Sequence, residues 1–174
     1  MGRVGSLTKR EAETRSALIR VAGYDIEFDL TGGAETFRST TTLRFTAAEP
    51  GTHTFVELRP VAVHSAELNG RALDPASLGN GRLPLPDLAA ENTLVVTAEF
   101  AYSRSSTGMH RFVDPADGEV YCYAQPSITE APALMACFDQ PDLKAVARTD
   151  PPGRPGDGPA RWRGRRSSRR RRRP

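Results

Sequence analysis

An all-β fold, an antiparallel sandwich-like domain with one short helix at its start, is what this sequence predicts. Three observations carry that prediction. Apolar and polar residues alternate with period two in run after run, turn dipeptides separate the runs, and almost no helical periodicity follows residue 20. About 130 residues of this kind are enough to bury a core.

The helix comes first. Thr8 and Glu11 form the pattern T-x-x-E, a capping box that satisfies orphan amide donors at a helix start. Helix formers Ala12, Glu13, Ala17 and Leu18 follow, so the helix is expected from Thr8 to about Ile19. The period then changes. Tyr24, Ile26, Phe28 and Leu30 alternate with Asp25, Glu27 and Asp29, which predicts a strand with one buried face. After a Gly-rich turn, Phe37, Ser39, Thr41, Leu43 and Phe45 alternate with Arg38, Thr40, Thr42 and Arg44, giving an antiparallel partner. Further strands are expected over 53–58, 62–69, 92–102 and 118–125. Asn69-Gly70 is a hairpin turn, because both residues accept positive φ, and Asp117-Gly118 is a second turn. Leu94, Val96 and Phe100 join the expected core.

Two stretches resist this pattern. Residues 102–127 have little periodicity, and "MACFDQPDLKA" crowds an aromatic, a carboxylate and turn elements together. Compact irregular runs of this kind carry function or lock tertiary structure. Asp139 reads as a structural turn residue, Gln125 as a strand-end residue, and Ser127 with Glu130 as a second capping box. Cys122 and Cys137 read as reduced core thiols. His53, His64 and His110 are scattered outside any H-E-x-x-H pattern, so the residues offer no metal site.

Charge divides the chain. The net charge is +3 over 174 residues. Residues 148–174 hold eleven Arg against two Asp, a net +9, and residues 1–147 hold 13 basic against 19 acidic residues, a net −6. The body therefore gives no electrostatic reason to expect nucleic acid. The first twenty residues lack the apolar run of a secretory leader, and no stretch is long enough for a membrane helix, so a cytoplasmic location and no membrane partner are expected. The expected organisation is a helical segment over 1–19, a β domain over 20–147 and a disordered Arg/Pro/Gly-rich tail over 148–174.

The runs "LTKREAETRSALI", "YDIEFDL", "FRSTTTLRF", "STGMHRF", "YCYAQ" and "CFDQPDLKA", in this order and spacing, resemble the N-terminal domain of M1-family zinc aminopeptidases of the actinobacterial type. The resemblance runs from about Leu7 to Val146. It implies a saddle-shaped antiparallel β domain from an enzyme that removes N-terminal amino acids from peptides. It also implies a catalytic domain that supplies a G-A-M-E-N-type substrate loop, an H-E-x-x-H helix with a further Glu ligand, and an oxyanion-stabilising Tyr. None of those motifs occurs in these 174 residues. The expectation is a fragment inactive alone, with no cofactor in this chain and zinc in the full-length family. Peptide N-termini are partners only in a full-length context.

The family's N-terminal domain lends the active site a Gln-x-[Glu or Gln] pair at a strand end, near the substrate's free amine. Counted from Cys137, the pair falls on Gln125 and Ser127, and Glu130 would substitute through a local bulge. Gln125, Ser127 and Glu130 are thus the substrate-binding candidates the resemblance implies. Ser127 departs from the pattern, and so does "APALM", where family members usually carry an Arg.

The tail departs altogether. From Ala147 the family's strand gives way to "ARTDPPGRPGDGPARWRGRRSSRRRRRP", whose one large apolar residue is Trp162. Such a segment has nothing to bury and is expected to be disordered. Its vocabulary contains no Lys, as GC-rich codons dictate, and loss of sense in mid-strand is what a reading-frame shift produces. The alternative is a stand-alone, non-catalytic β module, either with a basic arm that binds nucleic acid non-specifically and salt-dependently, or paired with a separate catalytic chain.

Overall fold

The computed structural model describes residues 7–127 and 129–150. It opens with helix α1 (Lys9–Leu18), and ten strands follow: β1 (Ile19–Asp29), β2 (Thr36–Ala47), β3 (Thr54–Glu57), β4 (Ala62–Leu68), β5 (Arg71–Ala72), β6 (Arg82–Leu85), β7 (Glu91–Ala101), β8 (Gly108–Val113), β9 (Val120–Gln125) and β10 (Val146–Asp150). The all-β expectation holds. One sheet has the order β10-β1-β2-β7-β4-β5, and two hairpin-like pairs, β3-β6 and β8-β9, stand beside it.

α1 begins as expected. The Thr8 hydroxyl accepts from the Glu11 amide at 3.2 Å, and the Glu11 carboxylate accepts from the Thr8 amide at 2.8 Å. Arg82 also donates to Glu11 at 2.7 Å. The Arg82 contact first, then the Thr8 amide and hydroxyl, hold the Glu11 carboxyl down at about 2, against an ordinary 4.5. A depressed carboxyl contributes stability that is complete above its ordinary value and lost as pH falls towards the folded one. Glu11→Gln should therefore flatten the loss of stability between pH 4.5 and about 2. Urea melts across that window check this, and an unchanged acid limb would contradict it.

The alternating residues of β1, β2 and β7 build the core. Tyr24, Ile26, Phe37, Leu43, Phe45, Leu94, Val96 and Phe100 are buried, and Phe28 and Leu30 pack half-buried at its margin. Phe37 stacks on Phe100 with ring centroids 5.8 Å apart and meets Tyr102 at 5.2 Å. Such aromatic pairs add about 0.5–1.5 kcal/mol beyond area burial. Val56, Leu58, Leu83, Leu85, Leu134 and Phe138 join the same core from β3, β6 and the irregular stretch. The β4–β5 turn is the expected one, with Asn69 at φ 55° and Gly70 at φ 77°.

Three expectations need correction. β6 and β8 were not anticipated: β6 is four residues long with Pro84 inside it, and β8 runs from a buried to an exposed end without alternation. The fold is not wholly antiparallel, because β10 lies parallel to β1, pairing Gly23 with Val146 and Glu27 with Asp150. β10 also passes the expected boundary at 147 and stays paired through Asp150, so residues 148–150 are strand rather than disordered. Backbone hydrogen bonding is indifferent to side-chain vocabulary, so the polar run Arg148–Asp150 can still pair at a sheet edge. Close approach matters here, since a Cβ on Gly23 would sit 3.2 Å from the Val146 carbonyl oxygen. The expected disorder of 151–174 lies outside the described residues.

Candidate functional site

"CFDQPD" is a lock. Cys137 exchanges backbone hydrogen bonds with Glu57 at 2.8 and 3.0 Å, which closes β3 against the irregular stretch. The Phe138 amide donates to the Tyr24 hydroxyl at 3.1 Å, and the Asp139 amide donates to the Glu57 carboxylate at 3.1 Å. Phe138 packs edge-on to Phe45 with centroids 5.2 Å apart. Into this node α1 inserts Arg15, its one buried residue. The Arg15 guanidinium donates to both Glu57 oxygens at 2.8 and 2.9 Å and to Gln140 Oε1 at 2.9 Å, and it lies over the Phe55 ring at 4.8 Å. Gln140 in turn donates to the Ala12 carbonyl at 2.9 Å. Burial pushes the Glu57 carboxyl above its ordinary value, with Arg15 and the Asp139 amide pulling the other way. The arrangement fastens a helix. Cys137 is buried, and burial pushes its thiol well up, away from the reactive thiolate.

The substrate-binding candidates lie elsewhere, at the end of the β8-β9 hairpin. Gln125 closes β9 opposite Gly108. Gly108 adopts φ 108°, and a Cβ there would fall 2.9 Å from the Ser103 Cβ, so only glycine starts β8 at this point. Across the hairpin His110 and Tyr123 stack at 4.6 Å. Gly118, at φ 74°, turns the chain as Asp117-Gly118 predicts, helped by the Glu119 amide donating to Asp117 at 2.8 Å. Gln125 and Ser127 are exposed, and neither side chain makes a hydrogen bond among the described residues.

Glu130 differs. Its carboxylate pairs with Arg59 at 2.7 Å, and Arg59 also donates to the Thr129 carbonyl at 3.2 Å. The short 3-10 turn Ala131–Ala133 has no side-chain cap, so the capping-box reading of Ser127 and Glu130 is corrected: Glu130 spends its charge on Arg59. The structure thus puts Gln125 and Ser127 on one free strand end and ties Glu130 to β3's continuation.

The hairpin's surface is the second feature. Of seven large apolar residues left exposed among those described, five are on it: Phe112, Val113, Val120, Tyr121 and Tyr123. Phe112, Tyr121 and Tyr123 share one face of the hairpin, whereas the pair Val113 and Val120 lies on the other. Sequence reasoning missed this surface because β8 itself was not recognised. It also missed the Arg15 node, whose members are 42 and 125 positions apart in the chain.

Among the described residues no three His, Cys, Asp or Glu side chains come together as a metal site. The described residues therefore do not fit a catalytic zinc ion.

Comparison with known proteins agrees with this architecture. No protein-family model matches the chain. The chain is 45% identical over 145 residues to aminopeptidase N of Streptomyces lividans, a match that covers 81% of this chain and 17% of that protein. The fold is similar to that of an M1 zinc metallopeptidase variant from Deinococcus radiodurans, with a TM-score of 0.56 at 15% identity over 76% of this chain and 33% of that one. It is similar also to Legionella pneumophila aminopeptidase A in complex with aspartic acid, with a TM-score of 0.56 at 14% identity over 75% of this chain and 15% of that one. The chain belongs to the M1 aminopeptidase family and corresponds to its N-terminal domain.

Proposed function

We propose that this chain is the substrate-facing N-terminal part of a cytoplasmic zinc metallo-aminopeptidase that removes N-terminal amino acids from peptides, and that these 174 residues are inactive by themselves. The observation that carries the reading is the β8-β9 hairpin. It leaves Phe112, Tyr121 and Tyr123 uncovered on one side, as a face that seats on a second domain would be, and at its end the Gln125 and Ser127 side chains have no partner among the described residues. A hairpin packed on a catalytic domain carries those two residues to the rim of the cleft. There the Gln125 amide oxygen accepts from a substrate's α-ammonium, a charge-assisted bond worth about 1.5–3 kcal/mol. Ser127 is the weaker anchor, since a hydroxyl holds an ammonium less well than the carboxylate that the family pattern allows there.

The isolated chain should show no hydrolysis of an alanine anilide with or without added Zn²⁺, because the described residues bring no set of ligands together to generate a metal-bound hydroxide. Chelator-sensitive turnover that co-elutes with the chain, after host aminopeptidase is excluded by a mock purification, would overturn the proposal.

A further inference from the structure

The strand end that carries Gln125 and Ser127 stands off the main sheet, because β8 and β9 form a sheet of their own. Turns follow it. The Glu130 amide donates to the Ser127 carbonyl at 3.2 Å, and the Ala133 amide donates to the Glu130 carbonyl at 3.0 Å. Among the described residues, every hydrogen bond that ties 126–135 to the rest of the chain comes from Arg59. Its backbone amide donates to the Pro132 carbonyl at 2.6 Å. Its side-chain Nη2 donates to the Glu130 carboxylate at 2.7 Å and to the Thr129 carbonyl at 3.2 Å. Both side-chain contacts fall on the turn that Ser127 opens.

Arg59 itself is held by the core. Just before it, Glu57 exchanges backbone hydrogen bonds with Cys137 at 2.8 and 3.0 Å, and the Leu58 amide donates to the Gly81 carbonyl at 3.0 Å. The Leu58 side chain is fully buried. Arg59 and Glu130 are 25% and 28% exposed, so salt screens this pair less than an open surface pair. Arg59 thus carries the position of the core across to a strand end that has no other hydrogen-bonded support. A binding group needs such support, because a displacement of about 1 Å is enough to spoil its contacts.

We propose that Arg59 is a positioning residue for the amine-binding strand end. Through the Glu130 carboxylate and the Thr129 carbonyl it fixes the 127–130 turn, and so sets Gln125 and Ser127 against a substrate's α-ammonium. Arg59 touches no substrate itself, and its role rests on the assignment of Gln125 and Ser127 to the substrate's amine.

Steady-state kinetics on an alanine anilide test this role in a chimera, with residues 7–150 of this chain in place of the matching segment of the Streptomyces lividans aminopeptidase N. Arg59→Met keeps an apolar stem and removes the charge. It should raise KM several-fold and leave kcat nearly unchanged, because the contact it supports is made in the ground and transition states alike. Arg59→Lys keeps a cation and should restore part of the KM. Added to Gln125→Ala, Arg59→Met should cost little more, since both act through one contact. Gln125→Ala by itself separates the two claims. If it leaves KM unchanged, the amine-binding assignment fails and the role of Arg59 fails with it. If it raises KM while Arg59→Met does not, the role of Arg59 alone fails. A smaller yield of active enzyme with KM unchanged, or full additivity in the double variant, also overturns the proposal. A second measurement needs no catalytic domain. In the full chain, Arg59→Met should speed hydrogen exchange at the Glu130 amide several-fold and leave the Glu57 and Cys137 amides as they were. Unchanged exchange at Glu130, or faster exchange at all three amides, would overturn it.

Discussion

Arg15→Ala should cost this domain about 3–5 kcal/mol, the range for breaking one partner out of a buried ion pair. That is a large share of the roughly 5–15 kcal/mol that hold a domain folded. The reason is the way α1 is attached. A surface helix ordinarily docks by an apolar stripe. α1 has none, and Arg15 is its one buried residue. Removing the guanidinium leaves the Glu57 carboxylate buried without its cation and deprives Gln140 Oε1 of its donor. It also releases a ten-residue helix, shorter than the ~12–15 residues that persist alone in water. Urea melts followed by circular dichroism measure the loss, and faster proteolysis at Lys9 and Arg10 reports α1 directly.

The pH dependence gives an internal check. Burial, the larger influence, raises the Glu57 carboxyl above its ordinary 4.5. The folded state then keeps the proton to higher pH than the unfolded chain does. This group's favourable contribution is full below pH 4.5 and declines as pH rises through the folded value. The penalty of Arg15→Ala should accordingly shrink below pH 4.5, where Glu57 is neutral and needs no cation. The pair Arg15→Met with Glu57→Leu should recover part of the loss, because an apolar substitute for a buried pair is often neutral. A change within about 0.5 kcal/mol, as for an ordinary surface substitution, would show that α1 is held by something else.

Gln125→Ala should lower kcat/KM roughly ten- to a hundredfold in an enzyme that contains this domain, chiefly by raising KM. The figure follows from losing one hydrogen bond to a charged amine, about 1.5–3 kcal/mol, made in both the ground and transition states. The setting is a chimera: residues 7–150 of this chain in place of the matching segment of the Streptomyces lividans aminopeptidase N. Ser127→Ala should cost less than Gln125→Ala. Ser127→Glu, which puts a carboxylate where the family pattern has one, should lower KM. Steady-state kinetics on an alanine anilide read all three. Unchanged constants for Gln125→Ala would reduce Gln125 to a strand-end residue and leave the family assignment standing, since that rests on the match over 145 residues.

The long strands were legible because each buries one face. Period two in β1, β2 and β7 translates directly into the core of Tyr24, Ile26, Leu43, Phe45, Leu94, Val96 and Phe100. The capping box of Thr8 and Glu11 and the turn at Asn69-Gly70 were legible because their chemistry is local. What sequence hid is non-local. Arg15 looks like any helix-surface cation until Glu57 and Gln140 are brought to it. β8 shows no alternation because its inner residues Gly108 and Met109 are buried while Phe112 and Val113 are left open. A strand whose far half is left uncovered does not follow the pattern of a strand that completes a core along its whole length. β10 pairs in parallel across more than 120 positions, a contact that no local signal announces. Of the candidate site, Gln125 and Ser127 were named by resemblance alone, and the tie between Glu130 and Arg59 emerged only in the fold.

The central claim, that this chain is a working N-terminal aminopeptidase domain, is tested most directly by turnover in that same chimera. The expected result is a soluble, zinc-loaded protein that hydrolyses an alanine anilide, is silenced by chelators, and loses affinity with Gln125→Ala. A chimera that binds zinc and shows the circular dichroism of the parent enzyme, yet turns over no substrate, would contradict the account.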